Sequence, residues 1–560
     1  MGNKFFRLAL KEIFFLTLVV FISLFFSYQN LANILFLDNV VQDDFRQSFF
    51  WVWRFWDESL FQNYFFAEMY QSHLTRIPLL NLIYRSAPLI SASPILFSKL
   101  LSILIAALSC IAAYFMMRSF LKQDIHKDHE AGENAEIGVP LHALSAVCFS
   151  ACIAVMLWCT DYLSVAHSRS FIWLGIFVYL FLENEKKDLL KSIWISILLL
   201  LSPIAFLLCL AMQFFSWIIN GVLRKNIFNK NFYSLGFNAI AVLVLYKIIF
   251  ADIATQGIGR EFTRSELEKL PEFNPGGRHP IFGIDFFSRE WWSEGHWGLN
   301  IAGFEISVIV WAAFIIVPLY LFTIARSRLI GSVQNSINHP LSLLFLASVS
   351  LYIASSISFP LLFLPSRYIA NSSFILAISS LFLIVIDILK KIKLFLETKK
   401  AQSLWGTALL LLFTTIFCFI YSNFYHPRYV SISPDLLKKI EQLPKDALIA
   451  AHPKLPAINI IPAVARRKVY VNHEWSMAYT EESLREIRRR NREAFKLIYA
   501  RNKEDFLKIA KKEGITHVLV AKKFYSKKYL ENPVYLEPYN AFLKELIGSS
   551  SSSAFWLNRF

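Results

Sequence analysis

Apolar residues in this chain fall in long unbroken runs, and the charges gather in the short stretches between them. Leu8–Ser27, Ile95–Met117, Ile301–Ala325, Ile369–Leu389 and Leu404–Tyr421 are clear examples, each close to or beyond the roughly 20 residues that cross a bilayer as a helix. From Ser422 onward the pattern changes. Short apolar strands (Ala447–Ala451, Lys468–Val471, His517–Val520) alternate with helical stretches (Thr480–Tyr499, Lys503–Lys512), which predicts a compact α/β domain.

Composition supports a membrane protein. Hydrophobic residues make up 56% of the 560 and charged residues 18%, whereas a soluble chain carries about a quarter charged residues. All six cysteines lie in or beside apolar segments and none lies in the polar C-terminal part, so no disulfide framework is implied there. Cys148 and Cys152 read as packed small hydrophobes.

The Lys and Arg residues orient the spans. Lys4, Arg7 and Lys11 precede the first run and place the N-terminus in the cytoplasm. No small-residue cleavage site follows, so this run is expected to be a retained helix. A long outside segment then extends over about 28–93. Arg118, Lys122 and Lys127 mark the next inside turn, and a short outside turn holds Asp161–Ser170. The apolar stretch Ser192–Ile219 has basic residues at both ends and Pro203 near its middle, which predicts two short helices that dip in and return. Residues 251–299 form a second outside loop. The tally is about eleven membrane helices within residues 1–421, followed by an outside α/β domain over 422–560. That domain has 25 Lys and Arg against 14 Asp and Glu, a net charge of +11. Such a balance suits a surface lying on anionic head groups, and equally a solvated helix face at Arg485–Arg492. No internal repeat of the inverted-transporter kind is visible.

Four features carry chemistry. Just after the first span comes Asp38-Asn-Val-Val-Gln-Asp43-Asp44-Phe-Arg46-Gln47, then the aromatic run Ser48–Trp56. Acids at a membrane boundary cost desolvation energy and need a reason. On a helix, Asp43 would face Arg46 and Gln47, Asp44 would point about 100° away, and the aromatic continuation would lie in the membrane interface. First-turn acids favouring a helix N-terminus are the plainer alternative. The second feature is Leu364-Pro-Ser-Arg367-Tyr368. An Arg at the outer end of a span either snorkels or offers its planar fork to phosphate oxygens. The third is the turn with Asp161, His167, Ser168 and Arg169. The fourth is Pro271-Glu-Phe-Asn-Pro-Gly-Gly-Arg278-His279-Pro, followed by Trp291-Trp-Ser-Glu294-Gly-His296. Its glycines allow a tight turn or a mobile lid. The His279, Glu294 and His296 spacing matches no standard metal site.

Together these features resemble the membrane-embedded glycosyltransferases of the GT-C superfamily. That group includes protein O-mannosyltransferases, the lipid A aminoarabinose transferase and oligosaccharyltransferases. The Asp43-Asp44-x-Arg46 run looks like the acidic motif of the first outside loop, and Arg367-Tyr368 looks like an Arg-Tyr placed late in many bacterial members. The resemblance implies a GT-C-like helical membrane domain with a C-terminal extracytoplasmic α/β domain. It implies Asp43 and Asp44 as catalytic acids, with Arg46, Asp161, Arg169, Arg278, Arg367 and Tyr368 contacting substrate. The reaction implied is inverting transfer of a sugar from a polyprenyl-phosphate donor to a glycan, lipid or protein acceptor at the outer face of the inner membrane. The Trp-Trp-Asp signature of oligosaccharyltransferases is absent, which argues against protein N-glycosylation. No cofactor and no nucleic-acid partner is expected; a divalent metal is compatible with such acids but not indicated. Two other classes stay open, a transporter or flippase of lipid-linked glycans and a non-catalytic membrane scaffold.

Overall fold

The fold was analysed in a computed structural model, which describes residues 2–42, 44–130, 138–159, 163, 166–224, 228, 230–250, 259–281, 300–301, 304–305, 339–359, 365–393, 399–424, 429–476, 480–548 and 552–559. The membrane part is built from α1 (Gly2–Leu31), α2 (Phe65–Thr75), α3 (Pro78–Ser86), α4 (Pro94–Glu130), α5 (Gly138–Cys159), α6 (Ile172–Asn184), α7 (Asp188–Leu201), α8 (Pro203–Arg224) and α9 (Lys230–Phe250). After the short α10 (Arg264–Leu267) come α11 (Pro340–Ser358), α12 (Ser366–Lys393) and α13 (Lys399–Phe424). Among the described residues, five helices are long and apolar enough to cross a membrane: Leu10–Leu31, Pro94–Lys122, Pro203–Gly221, Pro340–Ser358 and Arg367–Ile386.

The bundle centre is α6, which is apolar on all sides and buried along nearly its whole length, as expected of a helix surrounded by others. It packs on α4, α7 and α8. Side-chain hydrogen bonds stitch the helices where lipid offers no polar partner. Ser150 Oγ donates to the Cys110 carbonyl at 3.1 Å, and Trp158 Nε1 donates to Ser27 Oγ at 3.1 Å. Buried Lys191 pairs with Asp188 at 3.1 Å and with Glu183 at 2.5 Å.

The apolar stretch with Pro203 does divide at Ser202, into α7 and α8 packed on each other. Proline lacks the N–H that would continue the helix. The second piece is not short, however: it is long enough to cross. The expected span Ile301–Ala325 lies almost wholly outside the described residues. At its start, Asn300–Ile301 and Phe304–Glu305 pair as antiparallel strands rather than beginning a helix.

The C-terminal part matches its sequence pattern closely. Strands β3 (Leu448–Ala451), β4 (Lys468–Val469) and β5 (His517–Leu519) form a parallel sheet in the order β4-β3-β5. Helices α14 (Pro434–Glu441), α15 (Pro456–Val464), α16 (Glu481–Ile498) and α17 (Lys503–Lys512) connect or cover the strands, the arrangement that parallel strands require.

Two further strands join this part to the membrane bundle. β1 (Val40–Gln42) leaves α1, β2 (Tyr429–Ser431) follows α13, and they pair antiparallel with Val41 opposite Val430. The first loop and the C-terminal domain therefore share one side of the bundle.

The aromatic run after the acids is placed differently from the interfacial helix expected of it. It forms a π-helical turn (Phe45–Phe49) followed by a 3₁₀ turn (Phe50–Phe55), and its rings are buried in protein. Phe50 and Trp51 are 0% and 1% exposed. Phe50 packs 4.7 Å from Trp475, and Trp53 Nε1 donates to the Ala463 carbonyl at 2.7 Å. Tyr64 Oη donates to the Val469 carbonyl at 2.6 Å, and Lys445 pairs with Asp57 at 2.6 Å. An aromatic side chain with one polar tip suits either a lipid interface or a protein seam, and here the C-terminal domain provides the seam.

Candidate functional site

The approach to the acidic motif is set by Lys99 of α4. Its buried ammonium donates to the carbonyls of Ile34 at 2.6 Å and Leu37 at 2.8 Å, closing the turn after α1. Ser93 Oγ holds Asp38 at 2.8 Å. β1 then carries the chain to the motif, where the Asp44 N–H donates to Gln42 Oε1 at 2.9 Å. Asp43 itself lies outside the described residues, as do Asp161, Glu294 and His296. The π-helical turn begins directly after Asp44, and such turns are concentrated at functional sites.

Asp44 is ion-paired with Arg169. Arg169 lies in a 3₁₀ turn (Ser168–Phe171) whose N-cap is His167; the Arg169 N–H donates to His167 Nδ1 at 3.3 Å. The cap therefore fixes the turn that presents the guanidinium.

Arg46 reaches the C-terminal domain. Its Nη2 donates to Glu474 Oε1 at 3.2 Å, and Arg278 Nη2 donates to the other carboxylate oxygen. Gln47 is held at the same place, donating to the Glu474 carbonyl at 3.3 Å and accepting from Trp475 Nε1 at 3.0 Å. Glu474 thus ties together the first loop, the second loop and the C-terminal domain. Nothing in the sequence reading singled it out. The one signal was an acid in the run Asn472-His-Glu-Trp-Ser476 of a strongly basic domain.

Arg278 stands on a tightly wound loop. Gly276 adopts φ +86°, a conformation glycine accepts without strain. A Cβ on Gly277 would lie 2.3 Å from the Pro271 carbonyl oxygen. Of the two uses foreseen for these glycines, the structure shows the tight turn. The loop is anchored by Glu272, 1% exposed, which takes both Nε (2.6 Å) and Nη2 (2.7 Å) of Arg488 on α16. The Arg run of α16 is therefore divided: Arg485, Arg489 and Arg492 are exposed, while Arg488 and Arg490 are turned to other elements. Arg489 pairs with Glu486 at 2.8 Å, and Arg490 lies over the rings of Phe65, Phe66 and Tyr470.

Arg367 opens α12. Its carbonyl accepts from Asn371 Nδ2 at 3.0 Å, and Asn371 Oδ1 accepts from Trp173 Nε1 at 3.3 Å, which locks this helix start to α6. Tyr368 is 2% exposed and packs in the main apolar core.

Two histidines report the local field. Burial, then the positive charges of Arg278 and Arg367, push His279 down to about 3. Burial, then Arg278, Lys454 and Arg46, push His473 down to about 4. Both imidazoles are therefore neutral near pH 7 and surrounded by cations. Among the described residues, no group of three His, Cys, Asp or Glu side chains could hold a metal ion. Two sets of ion pairs thus hold the motif, Arg169 with Asp44, and Arg46 and Arg278 with Glu474, while Arg278 and Arg367 both act on His279. Among these described residues cations outnumber acids, a balance that attracts anions.

No family model matches the sequence, and no curated protein matches it either. The structure is similar to a solved oligosaccharyltransferase of Archaeoglobus fulgidus, tethered by a disulfide bond to an acceptor peptide containing the NVT sequon. The TM-score is 0.51 at 13% sequence identity, over 93% of this chain and 70% of that one. The chain is a helical membrane protein that shares the fold of that enzyme. At this identity the likeness is one of fold.

Proposed function

We propose that this protein is a glycosyltransferase that moves a sugar from a polyprenyl-phosphate donor to a glycan, lipid or protein acceptor, with inversion at the anomeric carbon. The observation that supports this reading is that the acidic motif is held by arginines, with Asp44 paired to Arg169 and Arg46 sharing Glu474 with Arg278, in a helical bundle whose fold is similar to that of an oligosaccharyltransferase. The shared fold and the acceptor peptide tethered to the archaeal enzyme support a transferase over a transporter.

The chemistry required is substitution at the anomeric carbon. Asp43 orients the acceptor hydroxyl and takes its proton as general base. Asp44, paired with Arg169, holds the motif in place. Arg367, at the start of a span, faces the membrane-borne phosphate and stabilises its charge as the bond to the sugar breaks. Attack from the face opposite the phosphate inverts the centre. The Lys and Arg distribution places the N-terminus in the cytoplasm of an inner-membrane protein. The site and the domain over 422–560 then lie on the outer face.

The test is Asp43→Asn in a membrane assay with lipid-linked donor. An amide cannot take a proton, so transfer should fall by about 10²–10⁴-fold at equal protein level. Asp44→Asn should be milder. Near-normal transfer by Asp43→Asn would end the enzymatic reading.

A further inference from the structure

Beside Glu474 sit two nitrogens with no hydrogen-bond partner among the described residues, Arg278 Nε and His473 Nδ1, and both atoms are buried. Buried polar atoms without partners are rare and cost about 1–3 kcal/mol each, so a pair in one electrostatic neighbourhood needs an explanation. The Arg278 side chain is 27% exposed, which leaves a way in from solvent. Lys454 stands at the rim; its Nζ donates to the Val534 carbonyl at 3.2 Å, and its charge acts on His473. Tyr535 closes one side of the imidazole, edge-on at 5.6 Å. The charges here are Arg46, Arg278 and Lys454 against Glu474, an excess of cations that an anion would balance.

The position matters as much as the charge. Arg367 begins a membrane helix, whereas His473 and Lys454 belong to the C-terminal domain. A phosphate carried on a lipid arrives from the membrane end. A group that reaches His473 arrives from the water-facing end.

We propose that Arg278 Nε and His473 Nδ1, with Lys454 at the rim, form an anion subsite for the acceptor, which therefore carries a phosphate or carboxylate group close to the hydroxyl that receives the sugar. This rests on the transferase reading for the word acceptor; the binding of an anion there does not. Arg278 gives one N–H to Glu474 and keeps Nε for the ligand. His473 in its Nδ1–H tautomer donates a second bond. Glu474 holds Arg278 and Arg46 in place, so it is a positioning residue.

The experiment uses the full-length protein in lipid nanodiscs without sugar donor, and reads the dissociation constants of inorganic phosphate and of acetate by calorimetric titration. Binding should be at least about tenfold weaker in Arg278→Gln, which removes a charged donor, and about three- to tenfold weaker in His473→Phe. His473→Phe keeps the ring beside Tyr535 and leaves the Glu474 pairs intact, so it tests the site where Arg278→Gln disturbs the loop. Whichever of phosphate and acetate binds more tightly identifies the acceptor group. Polyprenyl phosphate added to the nanodiscs should leave unchanged the part of phosphate binding that His473→Phe removes. If it competes, the anion belongs to the donor and the acceptor assignment falls. Wild-type binding by His473→Phe, or no measurable binding by wild type, overturns the subsite. Because no transfer is measured, these outcomes are separate from the fate of Asp43→Asn.

Discussion

Arg488→Met should release the second loop, although Arg488 is remote from the acids. The pair it makes is unequal. Glu272 is 1% exposed and Arg488 32%. Losing the arginine strands a buried carboxylate with no compensating charge, a change worth about 3–5 kcal/mol. Glu272→Gln should cost less, about 1–2 kcal/mol, because the stranded guanidinium is a third exposed and water recovers part of its solvation. Replacing both together, as Glu272→Leu with Arg488→Met, removes the mismatch and should return most of the stability. The assay is amide hydrogen exchange over Leu270–Ile281 in the detergent-solubilised protein. There, His279 N–H donates to the Glu272 carbonyl at 3.1 Å and Ile281 N–H to the Phe273 carbonyl at 2.9 Å. At 1.4 kcal/mol per factor of ten, Arg488→Met should speed exchange of these amides by up to two or three orders of magnitude. The transfer rate should fall with it, since Arg278 rides on the same loop. Exchange in Arg488→Met no faster than in Glu272→Gln would refute the argument, because the asymmetry of burial is its whole basis.

Three further outcomes are expected. If Arg367 grips the donor phosphate, Arg367→Lys should show poorer donor saturation or a lower maximal rate, since an ammonium lacks the planar fork; wild-type kinetics at equal protein level would reduce Arg367 to a helix anchor. Stability should drop in acid: His279 titrates near 6.5 unfolded and near 3 folded, so the unfolded chain takes the proton first as pH falls below about 6.5, costing about 3 kcal/mol by pH 4. His279→Gln should flatten that part of a thermal-melt pH profile, and an unchanged slope would show that His279 is not its source. Alkaline phosphatase fused after Phe560 should be active in a bacterial host, and an inactive fusion would reverse the orientation.

The runs Leu8–Ser27, Ile95–Met117 and Ile369–Leu389 were legible as spans because apolar runs of bilayer length have few other uses. The α/β domain was legible because its periodicity is local: the helix expected over Thr480–Tyr499 forms as Glu481–Ile498, and that over Lys503–Lys512 keeps its bounds. The junction was not legible. Glu474 meets Arg46 across 428 residues and Arg278 across 196, and no periodicity reports a partner at such a distance. The Ser48–Trp56 run was misplaced for a related reason, since its composition suits a lipid interface and a protein interface equally well. The pairing of Arg488 was not legible because its partner, Glu272, lies on another element. The excess positive charge of the domain was visible, but its use by the fold was not.

The pairing of β1 with β2 bears on the order in which the protein matures. Val40–Gln42 emerges with the first span, yet its partner Tyr429–Ser431 is synthesised only after the helix ending at Phe424. At the usual pace of about 5–20 residues per second, the acidic motif waits tens of seconds for the strand that fixes its register. Glu474 comes later still. Until then Arg46 lacks this partner and the aromatic run after it lacks its cover, a long-range closure of the kind that makes assembly slow. The corner around the acidic motif is thus assembled well after the first span is made, and the C-terminal part is the last of its pieces to arrive.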